Sequence, residues 1–334
     1  MTTDVPDLPP DDAVRAEGLW RLTTEQVDPV FGDIDRLDTL DLLTRINAQD
    51  ATVPKAVATQ LPRIAEAVDL VVEAFGAGGR LVYAGAGTAG RLGVLDASEC
   101  PPTFDTDPSR VVGLIAGGPT ALTTAVEGAE DDRDGAVDDL ARLGIGPTDV
   151  VVGISASGRT PYAVGAVEKA HRRGARTIGL ACNAGSPLGR AADVAIEVVV
   201  GPEVVAGSTR LKAGTAQKLV CNMITTGAMV RLGKTYGNLM VDVRATNEKL
   251  RDRAHRIVTT ATGADDATVT RALADHGGRA KDAVLAILTG WPRDRVDAEL
   301  ERADGVLRAA LAAGSGDTTT TSPTTSPTTE TEIP

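Results

Sequence analysis

Residues 79–104, GRLVYAGAGTAGRLGVLDASECPPTF, decide the fold. Residues 80–84 are a short apolar run, Gly85, Gly87 and Gly90 follow at once, and residues 91–97 suit a helix. That order reads as strand, tight glycine turn, helix. Such a turn removes β-carbons where a ligand approaches the backbone, and it aims the unpaired N–H groups of a helix start at an anion. It predicts a phosphate site. The same glycines satisfy G-x-G-x-x-G, the dinucleotide fingerprint, which also wants an acidic residue about 20 positions on, ending the second strand. That strand is expected over 110–115, and Ala116, Gly117 and Gly118 follow it, so no carboxylate stands ready for a ribose. The plainer alternative is a turn that serves only close strand-to-helix packing.

Outward from this unit the pattern repeats. Short β-branched runs at 81–84, 111–115, 149–154, 177–181 and 194–200 alternate with helical segments. This is the mark of parallel strands buried on both faces. The expected fold class is α/β, a three-layer α/β/α sandwich around a parallel sheet. Small-residue turns close the first unit, AGAGTAG, and the third, SASGRTP, and open α/β sheets bind ligands at that carboxyl edge. Upstream, LDLLTRINAQD and residues 53–75 carry apolar residues at helical spacing. Pro54 suits a first helical turn, and Pro62 marks either a second start or a kink.

The chain divides into a loose segment 1–34, in which Leu19 and Trp20 are able to dock, helices over 35–70, a sheet domain over 71–234, a connecting helix over 235–263, and three short helices over 264–313. In the last of these, Ala283, Val284, Ile287 and Leu288 share a face. The tail 314–334, rich in Thr, Ser and Pro, reads as disordered.

Composition narrows the function. Of 334 residues 42% are hydrophobic but only 2% aromatic, so the core is aliphatic. A net charge of −12, from 34 basic and 46 acidic side chains, disfavours nucleic acid and anionic membrane as partners. An anionic substrate then needs a local positive pocket. Cys100, Cys182 and Cys221 are widely spaced thiols in no zinc or disulfide pattern, and no run approaches a membrane span, so a soluble cytoplasmic protein is expected. His171, His255 and His276 lie outside every motif, and no metal or other cofactor is expected.

Ser155, Ser157, Gly158 and Thr160 form S-x-S-G-x-T at the start of a helix, where hydroxyls and N–H groups can converge on a phosphate. Read alone, the run is equally a serine/threonine helix cap. Arg159, Arg210, Lys212 and Lys218 offer charge, although such groups usually belong to a solvated face.

The run 85–104 resembles the signature of the N-acetylmuramic acid 6-phosphate etherases, a branch of the sugar isomerase (SIS) fold. The likeness continues through VVGLIAGG, AVEGAEDD, VVVGISASGRTPY, GSTRLKAGTAQKL and GNLMVDVRATNEKL, covering nearly all of residues 35–311. One departure is Ala89, where the family usually has a serine. The resemblance implies an SIS sugar-phosphate domain with a ubiquitin-associated-like (UBA-like) three-helix end, a homodimer, and a sugar-phosphate ligand held by Gly87, Thr88, Ser155, Ser157, Gly158 and Thr160. It implies cleavage of the D-lactyl ether of N-acetylmuramic acid 6-phosphate by elimination and hydration, in amino-sugar and peptidoglycan recycling. Glu99 in ASECPPT then acts as proton donor and Glu130 in AVEGAEDD as partner base, with Glu127 one turn away as its rival; the small residues and Pro101 and Pro102 around Glu99 at the helix end predict a poorly hydrated setting that raises its pKa. Read alone, both acids belong to wet helix ends. Glu203, Ser208 and Lys212 are further candidates, with Glu203 equally a cap for 207–209. A non-catalytic sugar-phosphate regulator and an aldose–ketose phosphate isomerase are the alternatives; neither has a use for both Glu99 and Glu130 in these motifs.

Overall fold

The computed structural model describes residues 18, 21–243 and 248–315; Leu19, Trp20, most of the tail and part of the VDVRATNEKL motif lie outside the described residues. Two compact units divide after Arg231.

In the first unit, α1 (Thr39–Asp50), α2 (Val53–Ala58) and α3 (Leu61–Gly76) precede the sheet. Pro54 falls in the first turn of α2 and Pro62 in that of α3, so Pro62 is a new start and not a kink. Then come β1 (Leu81–Gly85), α4 (Gly87–Phe104), β2 (Val111–Ile115), α5 (Arg133–Leu143), β3 (Val150–Ser155), α6 (Pro161–Arg172), β4 (Arg176–Ala181), α7 (Pro187–Ala191), β5 (Val194–Glu197) and α8 (Lys212–Arg231). The five strands are parallel in the order β2-β1-β3-β4-β5.

Both faces of the sheet are covered, which is why β1 and β3 are buried at every residue. Alternation along β1 sends Val82 and Ala84 to the face packed by Leu140 of α5 and by Tyr162 and Ala166 of α6. Tyr83 goes to the other face. Its hydroxyl donates to Asp96 of α4 at 2.8 Å, and the same carboxylate accepts from Asn222 (2.6 Å) and Thr225 (3.2 Å) of α8. Burial pushes the Asp96 carboxyl up despite these three hydrogen bonds. Gly90 lets α4 lie on the strand: a β-carbon there would stand 2.6 Å from Gly85 O.

Three expectations change. The fifth strand ends at Glu197 and not at residue 200, because β4 ends at Ala181; Val198 N makes one more bond, to Ala181 O. Helix α4 runs past Pro101 and Pro102 to Phe104 and stops at Asp105 in the left-handed region (φ 50°). Burial of Cys100 and Phe104 holds that last turn. Part of the segment expected to be loose is docked: Thr24 is fully buried, and short 3-10 turns cover Pro29–Phe31 and Ile34–Arg36.

The second unit has α9 (Glu248–Thr262), α10 (Asp266–Asp275), α11 (Ala280–Thr289), α12 (Arg293–Arg302) and α13 (Leu307–Ser315). Residues 264–313 therefore hold four helices where three were expected, and residues 236–243 precede α9 without helix. Helix α11 sits among the others, so Leu285 is fully buried while Leu288 is exposed. Lys281 is buried as well. Its ammonium bonds Asp242 at 2.7 Å and the carbonyls of Gly233 (3.2 Å) and Gly305 (2.7 Å).

Candidate active site

Strand β1 lies between β2 and β3, so the loop after it starts the helix at the point where strand order reverses. Open sheets of this order bind ligands at that switch point. The loop after β3 flanks the glycine turn on one side and the loop after β2 flanks it on the other. Two strand spacings separate these flanks, about 10 Å.

On the β3 flank the hydroxyls converge. Ser155 Oγ lies 2.8 Å from Thr160 Oγ1 and 3.3 Å from Ser157 Oγ, accepting also from Gly158 N at 3.0 Å, while Arg159 N donates to Ser157 Oγ at 3.1 Å. Thr160 occupies the N-cap position of α6 without making a side-chain cap hydrogen bond. Its hydroxyl faces Ser155 instead. Twelve residues of α6 point their positive dipole end at it. Gly158, at φ 68°, is locked against the end of β4: a β-carbon there would meet Ser186 Cβ at 2.4 Å. Cys182 N (2.9 Å) and Asn183 Nδ2 (3.0 Å) donate to Ala156 O, and Leu188 N donates to Gly158 O (2.9 Å). Asn183 also accepts from Thr23 N at 2.8 Å and donates to Thr24 Oγ1 at 3.0 Å, tying the N-terminal segment to the back of this loop.

On the β2 flank, Glu130 sits in a 3-10 turn (Ala129–Asp131), not on a regular helix. It is exposed and lines a cleft of about 220 Å³ together with Gly87, Arg91, Val126 and Glu127. Glycine turn and acidic loop, 43 residues apart between Gly87 and Glu130, thus form one wall-to-wall cavity. Glu127 shares it, so the two acids remain neighbours there.

Thr88 points toward the start of α8, where a β-carbon on Gly214 would come within 3.4 Å of Thr88 Cγ2. Ala89 is buried in the first turn of α4. Glu203 is buried, and its two oxygens accept from Lys212 N and Ala213 N, each at 2.9 Å. It therefore caps α8 and not residues 207–209, anchoring the loop that carries the half-buried Ser208. Lys212 is buried with its ammonium on Gln49 Oε1 at 3.1 Å; burial lowers its pKa, opposed by Glu203, Asp28 and Asp50.

Glu99 is placed elsewhere. It lies twelve residues after Gly87 on α4, about 18 Å along the axis. Within one chain it is exposed, not in the poorly hydrated pocket expected of it. Leu95, one turn before it, is an exposed apolar side chain at 49%. Cys100 beside it is inert: burial, with Asp96 near, pushes its thiol up to about 12.

Sequence reasoning passed over Arg91, Asp96 and Asn183. The signal for Asp96 was a lone acid on the inward face of an otherwise small-residue helix. Arg91 and Asn183 gave none, since their partners come from distant loops.

Two family models match: the SIS domain over residues 123–227 and the glucokinase regulatory protein N-terminal SIS domain over residues 63–171. The chain is 64% identical over 301 residues to N-acetylmuramic acid 6-phosphate etherase of Streptomyces avermitilis, covering 90% of this chain and 96% of the relative. This chain belongs to the N-acetylmuramic acid 6-phosphate etherase family. Etherases of Streptomyces coelicolor and Rubrobacter xylanophilus are 60% and 58% identical, each over 89% of this chain and over 96% and 98% of their own lengths. A putative sugar-phosphate isomerase from Listeria monocytogenes superposes with a TM-score of 0.43 at 17% identity, covering 60% of this chain and 94% of its own. Nearly the whole of each etherase relative is thus spanned, including the segments that carry Glu99, Glu130 and the hydroxyl cluster.

Proposed function

We propose that this chain cleaves the D-lactyl ether at C3 of N-acetylmuramic acid 6-phosphate, giving N-acetylglucosamine 6-phosphate and D-lactate in amino-sugar recycling. The observation that carries the reading is the arrangement across the switch point, with a hydroxyl cluster at the start of α6 on one flank and Glu130 on the other. The separation of about 10 Å suits a hexosamine whose phosphate lies on Ser155, Ser157, Gly158 and Thr160 and whose C2 and C3 reach the β2 flank. Gly87 and Thr88 lie between.

An ether is a poor leaving group. Opening the sugar to its aldehyde makes the C2 proton acidic, so Glu130 removes it while an acid protonates the departing lactyl oxygen. Water then adds to the alkene. Glu99 is the acid, and it stands about 18 Å along α4 from its own chain's glycine turn, beyond the reach of a bound monosaccharide. It therefore serves the site of a second copy. Exposed Leu95 next to it, with Leu40, Leu43 and Leu61 of α1 and α3, supplies apolar surface for a homodimer. We place the protein in the cytoplasm, where the three buried thiols stay reduced.

The test is enzymatic assay of D-lactate released from N-acetylmuramic acid 6-phosphate. Stoichiometric lactate is expected from the wild type, and Glu130→Gln is expected to lower kcat by about 100- to 10,000-fold with the fold intact by circular dichroism. A folded Glu130→Gln variant with wild-type turnover removes Glu130 from the chemistry. Tight binding of the sugar phosphate by the wild type without lactate release points to a regulator.

A further inference from the structure

The etherase reading leaves Arg91, a charged group of the cleft, without a task. Arg91 stands one turn after Gly87 on α4, on the same face, and is half-buried. Its Nε donates to Leu122 O at 3.0 Å, in the 3-10 turn Pro119–Leu122 that follows β2. That bond ties the guanidinium at its Nε edge. The two terminal nitrogens make no hydrogen bond or ion pair among the described residues. Among the described residues Arg91 is also the one cation lining this cleft, which it shares with Glu127 and Glu130.

We propose that Arg91 is the specificity-determining residue that clamps the lactyl carboxylate of the substrate. The proposal rests on the etherase reading, and three observations support it. First, a guanidinium held at Nε presents a planar pair of donors, the geometry that matches a carboxylate in bidentate fashion. Second, charge favours the smaller anion: with two carboxylates already beside the one cation, a phosphate dianion is repelled more than the single charge of a carboxylate. The phosphate has its own hydroxyl and helix-dipole cradle on the opposite flank. Third, position: Glu130 shares the cavity with Arg91, and a lactyl group on C3 is attached next to the C2 carbon from which Glu130 takes its proton. A carboxylate fixed on Arg91 orients the ether oxygen relative to the C2–H bond. It also explains how a chain of net charge −12 accepts a substrate with two anionic groups.

The clamp makes a discrimination that the phosphate cradle cannot make. N-acetylglucosamine 6-phosphate is the same sugar without the lactyl group, so it engages the cradle and ignores Arg91. The experiment compares the two sugars in the full chain, by lactate release and by calorimetry, for wild type, Arg91→Met and Arg91→Lys. Arg91→Met is expected to raise KM for N-acetylmuramic acid 6-phosphate by about 10- to 100-fold, the loss of a charge-assisted pair. The calorimetric Kd for N-acetylglucosamine 6-phosphate is expected to stay within about twofold, because Arg91 makes no contact with it. Arg91→Lys restores part of the loss, as a point charge without the fork. A substrate analogue with the lactyl carboxylate converted to its amide tests the clamp on the wild-type protein alone, and it should bind about 10-fold or more weakly than the acid.

Equal weakening of both sugars, an amide that binds as well as the acid, or a fall in kcat at constant KM each overturns the proposal; the last would make Arg91 a partner of Glu130 and not of the substrate. Wild-type protein that releases no lactate sinks the etherase reading instead, and the calorimetric preference for the lactyl sugar still decides whether Arg91 clamps a carboxylate.

Discussion

Thr160 precedes a helix and leaves it uncapped, turning its hydroxyl 2.8 Å from Ser155 Oγ. A hydroxyl spent on structure and one held for a ligand respond differently to removal. Thr160→Val keeps the shape and deletes one donor of the proposed phosphate cradle, so the Kd for N-acetylglucosamine 6-phosphate is expected to rise about 10-fold. The melting temperature should move by no more than about 2 °C, since no cap is lost. Calorimetry and a thermal scan on the same sample check both; a large fall in melting temperature with unchanged affinity would return the cluster to the role of a cap. Residues of this kind were legible because their chemistry is local: S-x-S-G-x-T lies within six positions, directly after a β-branched run. Arg91 was not legible, because its meaning depends on Leu122 and Glu130, which a different strand brings back to it.

Elements place those loops, and the sheet does so through an anchor at its opposite edge. Asp149, immediately before β3, accepts from Arg80 N (2.9 Å), Arg80 Nε (3.0 Å), Arg80 Nη2 (2.8 Å) and Gly146 N (3.0 Å), while Arg80 Nη1 donates to Leu143 O (2.8 Å). This fixes β1 beside β3 at their amino ends, and the register Gly85↔Ile154 carries the alignment to the carboxyl edge where both loops open. Burial pushes the Asp149 carboxyl up, but the hydrogen bonds from Arg80 and Gly146 outweigh it and the pKa lies below the usual carboxylate value. A depressed folded pKa contributes stability that is fully present above the unfolded value of about 3.9 and is lost as pH falls through the folded one. Arg80→Met removes that contribution. The gap in melting temperature between wild type and Arg80→Met is therefore expected to be widest near about pH 6–7 and to narrow below about pH 4. A gap that stays constant down to acid pH would mean the pair does not act through charge. Strand existence was readable from continuous β-branched runs; strand ends were not, because β5 stops where β4 stops. The end of α4 was not readable from residues 91–97 either, since tertiary burial of Phe104 outweighs the local cost of continuing through Pro101 and Pro102.

At the scale of the whole molecule, one chain holds the two carboxyl groups proposed for the reaction too far apart to meet. Glu130 and the hydroxyl cluster gather at the switch point, whereas Glu99 lies about 18 Å down α4 beside the exposed Leu95. No sequence pattern displays this, because a resemblance assigns roles to positions without saying which copy's substrate each position faces. The two-fold dimer proposed above resolves it, with each proposed site taking Glu130 from one subunit and Glu99 from the other. Such sharing predicts complementation between dead variants. Glu99→Gln and Glu130→Gln are each expected to be inactive alone. When the two are unfolded together and refolded as a mixture, half of the dimers pair one of each, and in these one site regains both carboxyl groups while the other loses both. Lactate release should then recover to about a quarter of the wild-type rate, the share that random pairing of a symmetric dimer allows. Recovery must also vanish on dilution to concentrations where the dimer dissociates, which a sizing column run at the same concentrations establishes. A mixture that stays inactive while sizing as a dimer places Glu99 and Glu130 in separate chemistry, and a fully active monomer removes the shared site altogether.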